Sequence, residues 1–297
     1  MDKHSLSLPV SLFRGVRLAL HLIYAVLLAI FYPHFSHDRQ RRILKEWCRQ
    51  LLDIIDIGIL IENTGEQTGG WQPARGRCGS LIVANHVSWL DVFVLNAIYP
   101  ARFIAKAEVR NWPLIGWLCE RSGTIFIERA MRQNAASINQ HAGSILKQGV
   151  CIGLFPEGTT TDGKQVWHFR SALIQPAIDA GTLLCPIALR YQDGNGNLSD
   201  AAVFTGDMTL IGSIWRILRS PHFDALLMFT PALATAGENR RVLARAAQEA
   251  IAQRLNNIAT RRQAPEQEAT SVIRPTLFSA QSAYAPLLLP LSNQPPK

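Results

Sequence analysis

The chain has 297 residues, of which 48% are hydrophobic, with a formal net charge of +8, a pI near 9.6 and a mean hydropathy of +0.07. That is too polar for a polytopic membrane protein and high for a freely soluble one, the balance of an enzyme that touches a bilayer. The basic charge suits an anionic membrane surface, and with no helix-turn-helix or zinc-finger signature beside it no nucleic-acid partner is expected.

Cys48, Cys78, Cys119, Cys151 and Cys185 are scattered, with no Cys-x-x-Cys pair. Neither a disulfide framework nor a metal site is expected, and the catalytic part should face a reducing compartment. Near the N-terminus, Leu18 to Tyr32 is an uncharged apolar run broken only by His21. It is short for a full span, although Arg14 and Arg17 could snorkel and lengthen it. The sequence Phe31-Tyr-Pro-His offers no small-residue cleavage site, so a signal peptide is not expected. Asp38 to Ile55 is predicted as an amphipathic helix. Ile43, Leu44, Trp47, Leu51, Leu52 and Ile55 line one side, and Arg39, Arg41, Arg42, Lys45 and Arg49 the other. Two readings stand for it: a basic helix lying on anionic lipid, the favoured one, or a surface helix packed on the core.

Residues 62–79, rich in Gly, Gln and Thr, read as a loop or edge hairpin. Strands follow at Leu81–Ala84, Arg102–Ala105, Thr124–Ile127, Val150–Phe155, Leu183–Leu189 and Leu226–Thr230. Helices are predicted for Asn134–Lys147, Ser171–Ala180 (closed by Gly181) and Glu238–Asn257. Asp193-Gly-Asn-Gly-Asn reads as a hairpin turn, and Ile214-Trp-Arg-Ile-Leu-Arg as a second patch for lipid contact. The proline-bearing tail from about Ala264 should lack regular structure.

The chemistry gathers at Leu81-Ile-Val-Ala-Asn-His-Val-Ser-Trp-Leu-Asp91. His86 follows a buried strand at once, and Ser88 to Asp91 has the Ser-x-x-acid form of a helix start. Residues five apart on one helix do not share a face, so His86 and Asp91 meet only if the histidine precedes the helix and the aspartate lies in its first turn. Asp91 would then hold one imidazole nitrogen and leave the other as a general base. The alternative is a hydrogen-bonded loop histidine beside a helix-capping aspartate. Further on, Gly123-Thr-Ile-Phe-Ile-Glu-Arg129 puts a cation at a strand end; if that strand neighbours the one bearing His86, Arg129 opens onto the same crevice. In Phe155-Pro-Glu-Gly-Thr-Thr160, Gly158 can take a positive φ and aim backbone N–H groups at an anion. Thr159 and Thr160 add hydroxyls there, and Glu157 could bind an acceptor hydroxyl or brace a cation. Lys164 and Arg170 add positive potential, and Cys185-Pro-Ile-Ala-Leu189 would form the floor.

Asn85-His86-Val-Ser-Trp-Leu-Asp91 resembles the NHxxxxD block of the glycerolipid acyltransferases, above all the bacterial 1-acylglycerol-3-phosphate and lysophospholipid acyltransferases. Gly123–Arg129, Phe155–Thr159 and Cys185–Leu189 resemble that family's second, third and fourth blocks, in order, across about residues 75–235. The resemblance implies an α/β fold: a single domain with a central mixed sheet flanked by helices, plus an N-terminal helical membrane anchor. Residues 1–60 would be the membrane-associated helices, 61–260 the acyltransferase domain and 261–297 the tail.

It further implies transfer of an acyl group from a thioester to a lysolipid hydroxyl, with 1-acyl-sn-glycerol-3-phosphate as the leading acceptor. His86 would be the base, Asp91 its orienting partner, and Arg129, Glu157, Gly158 and Thr159 the residues for the acceptor's phosphate. No cofactor beyond the co-substrate, acyl-CoA or acyl carrier protein, is implied, and the expected location is the cytoplasmic face of the cell membrane. One departure is Thr160, where many members carry Arg or Ser. It brings in a lyso-ornithine lipid or a zwitterionic lysolipid as alternative acceptor. A lipid hydrolase using Ser88 or Ser171, and a non-catalytic lipid-binding protein, are the remaining alternatives.

Overall fold

The computed structural model describes residues 5–62, 79–127, 132–261 and 271–273. Eight strands form one mixed sheet in the order β4-β3-β5-β2-β6-β7-β1-β8. They are β1 (Ile57–Glu62), β2 (Ser80–Ala84), β3 (Arg102–Lys106), β4 (Ile125–Ile127), β5 (Ile152–Leu154), β6 (Leu183–Gln192), β7 (Phe223–Phe229) and β8 (Ser271–Ile273). β2 lies between β5 and β6 and is parallel to both. The sheet turns mixed at β7, which runs antiparallel to β6 and parallel to β1.

The helices are α1 (Leu8–Phe31), α2 (His37–Ile54), α3 (Asp91–Ile98), α4 (Ile115–Arg121), α5 (Arg132–Lys147), α6 (Gln175–Ala180), α7 (Leu210–Arg219) and α8 (Arg240–Arg261). Strand alternation divides the core into two layers. Ile82, Ala84, Ile187, Leu189, Tyr191, Ala225 and Leu227 point to the layer shared with α2, α3 and α7. Leu81, Val83, Leu184, Ala188, Leu226 and Met228 point to the layer shared with α5, α6 and α8.

Three expectations change. First, Ile57–Glu62 is a strand, with Ile57, Ile59 and Ile61 in the core layer shared with α2, so the division expected at residue 60 falls inside β1. Second, part of the tail expected to be irregular is β8. Ser271, Val272 and Ile273 pair antiparallel with Ile61, Leu60 and Ile59, giving the outer edge of β1 partners for its N–H and C=O groups. Third, Arg14 and Arg17, read as residues that could snorkel at the end of the apolar run, have carboxylate partners within the protein. Arg14 pairs with Asp56 and Arg17 with Asp53, which binds the polar side of α1 to the domain.

The helix α1 is longer than the apolar run alone predicts, because Pro9 sits at its start, where a missing N–H costs nothing. Its 24 residues extend about 36 Å, and Leu8–His34 is long and apolar enough to cross a membrane. One side is packed inward through Ser11, Leu18, His21, Ala25 and Ala29. The other exposes Leu12, Phe13, Val16, Leu20, Ile23, Leu27 and Ile30 at helical spacing. The helix α2 buries Cys48, Leu51 and Leu52 and packs Leu44 and Trp47 on the core, so its apolar side faces the domain and only its basic side is outward. Of the two readings for α2, packing on the core accounts for its apolar face.

Candidate active site

β2 ends at Ala84 and delivers Asn85 and His86 to the C-terminal lip of the sheet, between β5 and β6. The Asn85 side chain is buried and clasps Leu189 of β6: its amide donates to Leu189 O and its Oδ1 accepts from Leu189 N, both at 2.8 Å. These bonds fix where the strand stops and the loop bearing His86 begins.

α3 begins at Asp91, five residues after His86, with the histidine outside the helix as the spacing demanded. Asp91 Oδ2 accepts from His86 Nδ1 at 2.7 Å, from Val87 N at 2.7 Å and from Ser88 N at 3.0 Å. Its Oδ1 accepts from the Tyr191 hydroxyl at 2.7 Å. The Ser-x-x-acid pattern thus works in reverse of a serine cap. The acid gathers the loop's N–H groups, while Ser88 Oγ accepts from Leu90 N at 3.3 Å. A carboxylate with no exposed surface is tolerable because every one of these groups donates to it. Holding Nδ1 as the donor leaves Nε2 as the basic nitrogen, and Nε2 has no protein partner among the described residues, on a side chain 19% exposed. The ring is also stacked on Phe155, with centroids 4.0 Å apart and planes 5° from parallel. Both the hydrogen bond and the stack resist rotation of the imidazole.

The third sequence block closes on the same histidine. Glu157 Oε1 accepts from His86 N at 3.1 Å, and Thr161 N donates to His86 O at 2.7 Å. Glu157 is buried, and its Oε2 has no hydrogen-bond partner among the described residues. Burial pushes its carboxyl up to about 7, with the negative Asp91 acting the same way. Donation from the backbone of His86 and Trp167 opposes the shift. Gly158 has φ +71°, as predicted, and the Arg170 guanidinium lies against it: a Cβ there would stand 3.0 Å from Arg170 Nε. Thr159 is exposed. Thr160 donates its hydroxyl to Phe204 O, and Phe204 N donates to Val87 O at 3.0 Å, so the connection after β6 is laced across the catalytic loop.

The structure therefore brings His86, Asp91, Glu157, Gly158 and Thr159 to one end of the sheet. Arg129 lies outside the described residues. Its strand, β4, is not beside β2, because β3 and β5 stand between them. The condition on which Arg129 would open onto the His86 crevice, a strand next to β2, is not met. Sequence reasoning missed Tyr191 and the stacking role of Phe155. The signal for Tyr191 was strand alternation: continuing β6 past Leu189 puts residue 191 on the same side as Ile187 and Leu189. Ending that strand at Leu189 hid it.

A model of the acyltransferase family matches residues 70–190. The 1-acyl-sn-glycerol-3-phosphate acyltransferase of Neisseria meningitidis is 36% identical over 181 residues, covering 61% of this chain and 68% of that protein. The lyso-ornithine lipid O-acyltransferase of Pseudomonas aeruginosa is 41% identical over 173 residues, covering 58% of this chain and 66% of that protein. Among solved structures, the 1-acyl-sn-glycerophosphate acyltransferase of Thermotoga maritima aligns over 86% of this chain and 100% of its own, with a TM-score of 0.57 at 18% identity. That likeness is one of fold.

Proposed function

The chain belongs to the glycerolipid acyltransferase family and is an O-acyltransferase, and on that premise we propose that it moves a fatty acyl group from an acyl thioester to the free hydroxyl of 1-acyl-sn-glycerol-3-phosphate, giving phosphatidate. The observation that carries this reading is the His86 ring, held by Asp91 at Nδ1 and by Phe155 at its face, which leaves Nε2 without a protein partner among the described residues.

Nε2 takes the proton of the lysolipid hydroxyl as its oxygen attacks the thioester carbonyl. The tetrahedral intermediate collapses with cleavage of the C–S bond, and the imidazolium returns the proton to the departing thiolate. Asp91 stays ionised and stabilises the imidazolium. No acyl-enzyme forms, and Ser88, whose Oγ faces Leu90 N, is not needed as a nucleophile. Glu157, its carboxyl pushed up to about 7 by burial, braces the loop through His86 N at the acceptor end of the site. Arg129, Gly158 and Thr159 receive the phosphate, and Arg170 adds the cation that position 160 lacks. The donor is acyl-CoA or acyl carrier protein, and α1 holds the enzyme on the cytoplasmic face of the membrane.

One observation favours a second acceptor. Thr160 brings no cation, and its hydroxyl is engaged by Phe204 O, which suits a lyso-ornithine lipid, the acceptor in the name of the Pseudomonas relative. The test is to incubate membranes bearing wild type or His86→Ala with labelled acyl thioester and either lysophosphatidate or lyso-ornithine lipid. Label in phosphatidate, absent with His86→Ala, is the expected result. Label only in ornithine lipid moves the acceptor to the second reading, and equal activity of His86→Ala overturns the mechanism.

A further inference from the structure

Helix α7 is not needed to build the catalytic dyad, yet it carries two large apolar side chains to solvent. Ile211 is 80% exposed and Trp215 39%, while Ser213, Ile217 and Leu218 are buried. Ile211 and Trp215 lie seven and three residues before Leu218, on the same side of the helix. Leu218 is where α7 meets α1: its Cδ1 is 3.7 Å from where a Cβ on Gly15 would stand. On α1, the exposed Leu8 and Leu12 lie seven and three residues before Gly15. The two exposed pairs therefore flank one contact and continue the apolar stripe of α1.

The junction is fixed by polar bonds as well. Leu6 N donates to Arg219 O at 2.8 Å, Arg14 Nη1 to Ser220 O at 3.0 Å, and Arg219 Nη2 to Ser5 Oγ at 3.2 Å. Arg219 is exposed and sits 6.0 Å from the Trp215 ring centroid, which puts a cation beside the indole, as at a headgroup boundary.

Helix α7 is also tied to the catalytic loop. Trp89, inside the loop between His86 and Asp91, donates its indole N–H to Ser213 Oγ at 3.1 Å. Trp89 meets Phe93 edge-on, Phe93 meets Trp47, and Trp47 stacks on His21 of α1. Trp89 thus stands between two routes to the surface, one through α7 and one through α2 to α1.

We propose that α7 is a second bilayer-contacting element, inserting Ile211 and Trp215 among phospholipid acyl chains at an anionic surface, and that through Trp89–Ser213 it holds the catalytic loop at the level where a membrane-embedded acceptor presents its hydroxyl. The occupant is lipid because the patch continues the apolar side of α1 and is edged by arginine. This rests on the membrane-bound acyl-transfer reading, but its first test does not need activity.

Full-length wild type and Trp215→Phe are bound to vesicles of phosphatidylethanolamine and phosphatidylglycerol with brominated chains, and tryptophan emission is compared. The expected result is that wild type loses a larger fraction of its emission than Trp215→Phe. Equal fractional quenching overturns the proposal, including the case in which Trp215 instead covers a second protein copy. The second test compares wild type and Ile211→Asp on 1-oleoyl-glycerol-3-phosphate in vesicles and on its water-soluble hexanoyl analogue. A drop of about tenfold or more in kcat/KM on vesicles, with the soluble acceptor within twofold, is expected, in line with excluding a charge from the acyl layer. Equal loss on both acceptors, or on neither, overturns it. Should wild type acylate neither acceptor, the acceptor assignment fails while the quenching result still decides the role of α7.

Discussion

One side of the sheet carries α2, α3 and α7, against which α1 packs, and its outermost layer is the apolar stripe of Leu12, Val16, Leu20, Ile23, Leu27 and Ile30. The other carries α5, α6 and α8, and its outermost layer on α8 includes Arg241, Arg245, Glu249 and Gln253, with Arg245 and Glu249 paired at 2.8 Å. Both inner layers are equally buried, so the hydrophobic drive to fold does not separate them. What separates them is the outer surface, where the first side adds the apolar stripe of α1 to the basic face of α2 and the second presents charge on α8. The dyad belongs to the first: Asp91 opens α3, and Tyr191 reaches it from the sheet side shared with α2 and α3. The comparison teaches that the His86–Asp91 pair lies on the side of the sheet whose outer helix, α1, exposes the apolar stripe.

The largest effects should come from the dyad. His86→Ala is expected to lower kcat by about 10²–10⁴-fold, the usual worth of a positioned base, and to cost about 1–3 kcal/mol of stability, since buried Asp91 Oδ2 loses a donor. Asp91→Asn should cost as much, because an amide N–H facing Nδ1 favours the tautomer with its proton on Nε2. It should also cost stability, since Val87 N and Ser88 N lose a charged acceptor. Steady-state kinetics on vesicle-embedded acceptor, with urea unfolding, separates the two. Next comes Tyr191→Phe, which leaves Asp91 Oδ1 buried without its donor. About 1–3 kcal/mol of stability should be lost, with kcat reduced about tenfold and KM within twofold. Unchanged kcat would make Tyr191 a packing residue only.

How far this was legible in the sequence depended on whether the signal was local. The strand before His86, the helix beginning at Asp91 and the positive φ of Gly158 are set by neighbours a few residues away, and they stand where the spacing put them. The Asp193 turn is of the same kind: the side chain accepts from Asn195 N and Asn197 N, closing the loop as an Asx turn. What depended on long-range pairing was not legible. Ile57–Glu62 lies beyond the helix predicted to Ile55 and has no element in the sequence reading, because its strand depends on pairing with β7 and β8. No local pattern orders strands, so whether the strand before Arg129 neighbours β2 stays open in the sequence; β3 and β5 stand between them. Helix α2 reads identically whether its apolar side meets lipid or α3. Long-range contacts such as Arg17–Asp53 and His21–Trp47 show α1 packed alongside it.

A smaller effect is carried by pH. Glu157 is pushed from 4.5 up to about 7 by burial. The folded state holds its proton more tightly than the unfolded chain. Its contribution to stability is therefore fully present below about 4.5 and lost as pH rises through about 7. Wild type should lose on the order of 2–3 kcal/mol from this group between pH 5 and pH 8. Glu157→Gln, neutral throughout, should show a flatter urea midpoint over that range. Parallel profiles for the two proteins would mean that Glu157 is ionised in the folded enzyme.

The smallest effect tests the two sides directly, because each offers a similarly exposed aliphatic residue: Leu27 on α1 at 58% and Val242 on α8 at 57%. Solvent exposure alone predicts that an aspartate at either position changes stability by no more than about 0.5 kcal/mol. Val242→Asp should be neutral or slightly stabilising, since it puts a negative charge in the first turn of α8, where the helix dipole favours one. Neither unfolding nor vesicle flotation should register it. Leu27→Asp should unfold at the same urea concentration in detergent, yet float less with vesicles, because its exposed surface faces acyl chains rather than water. If both variants float like wild type, the apolar shell of α1 is not what holds the enzyme to lipid. If both float poorly, the charged side touches the membrane too and the distinction between the faces fails.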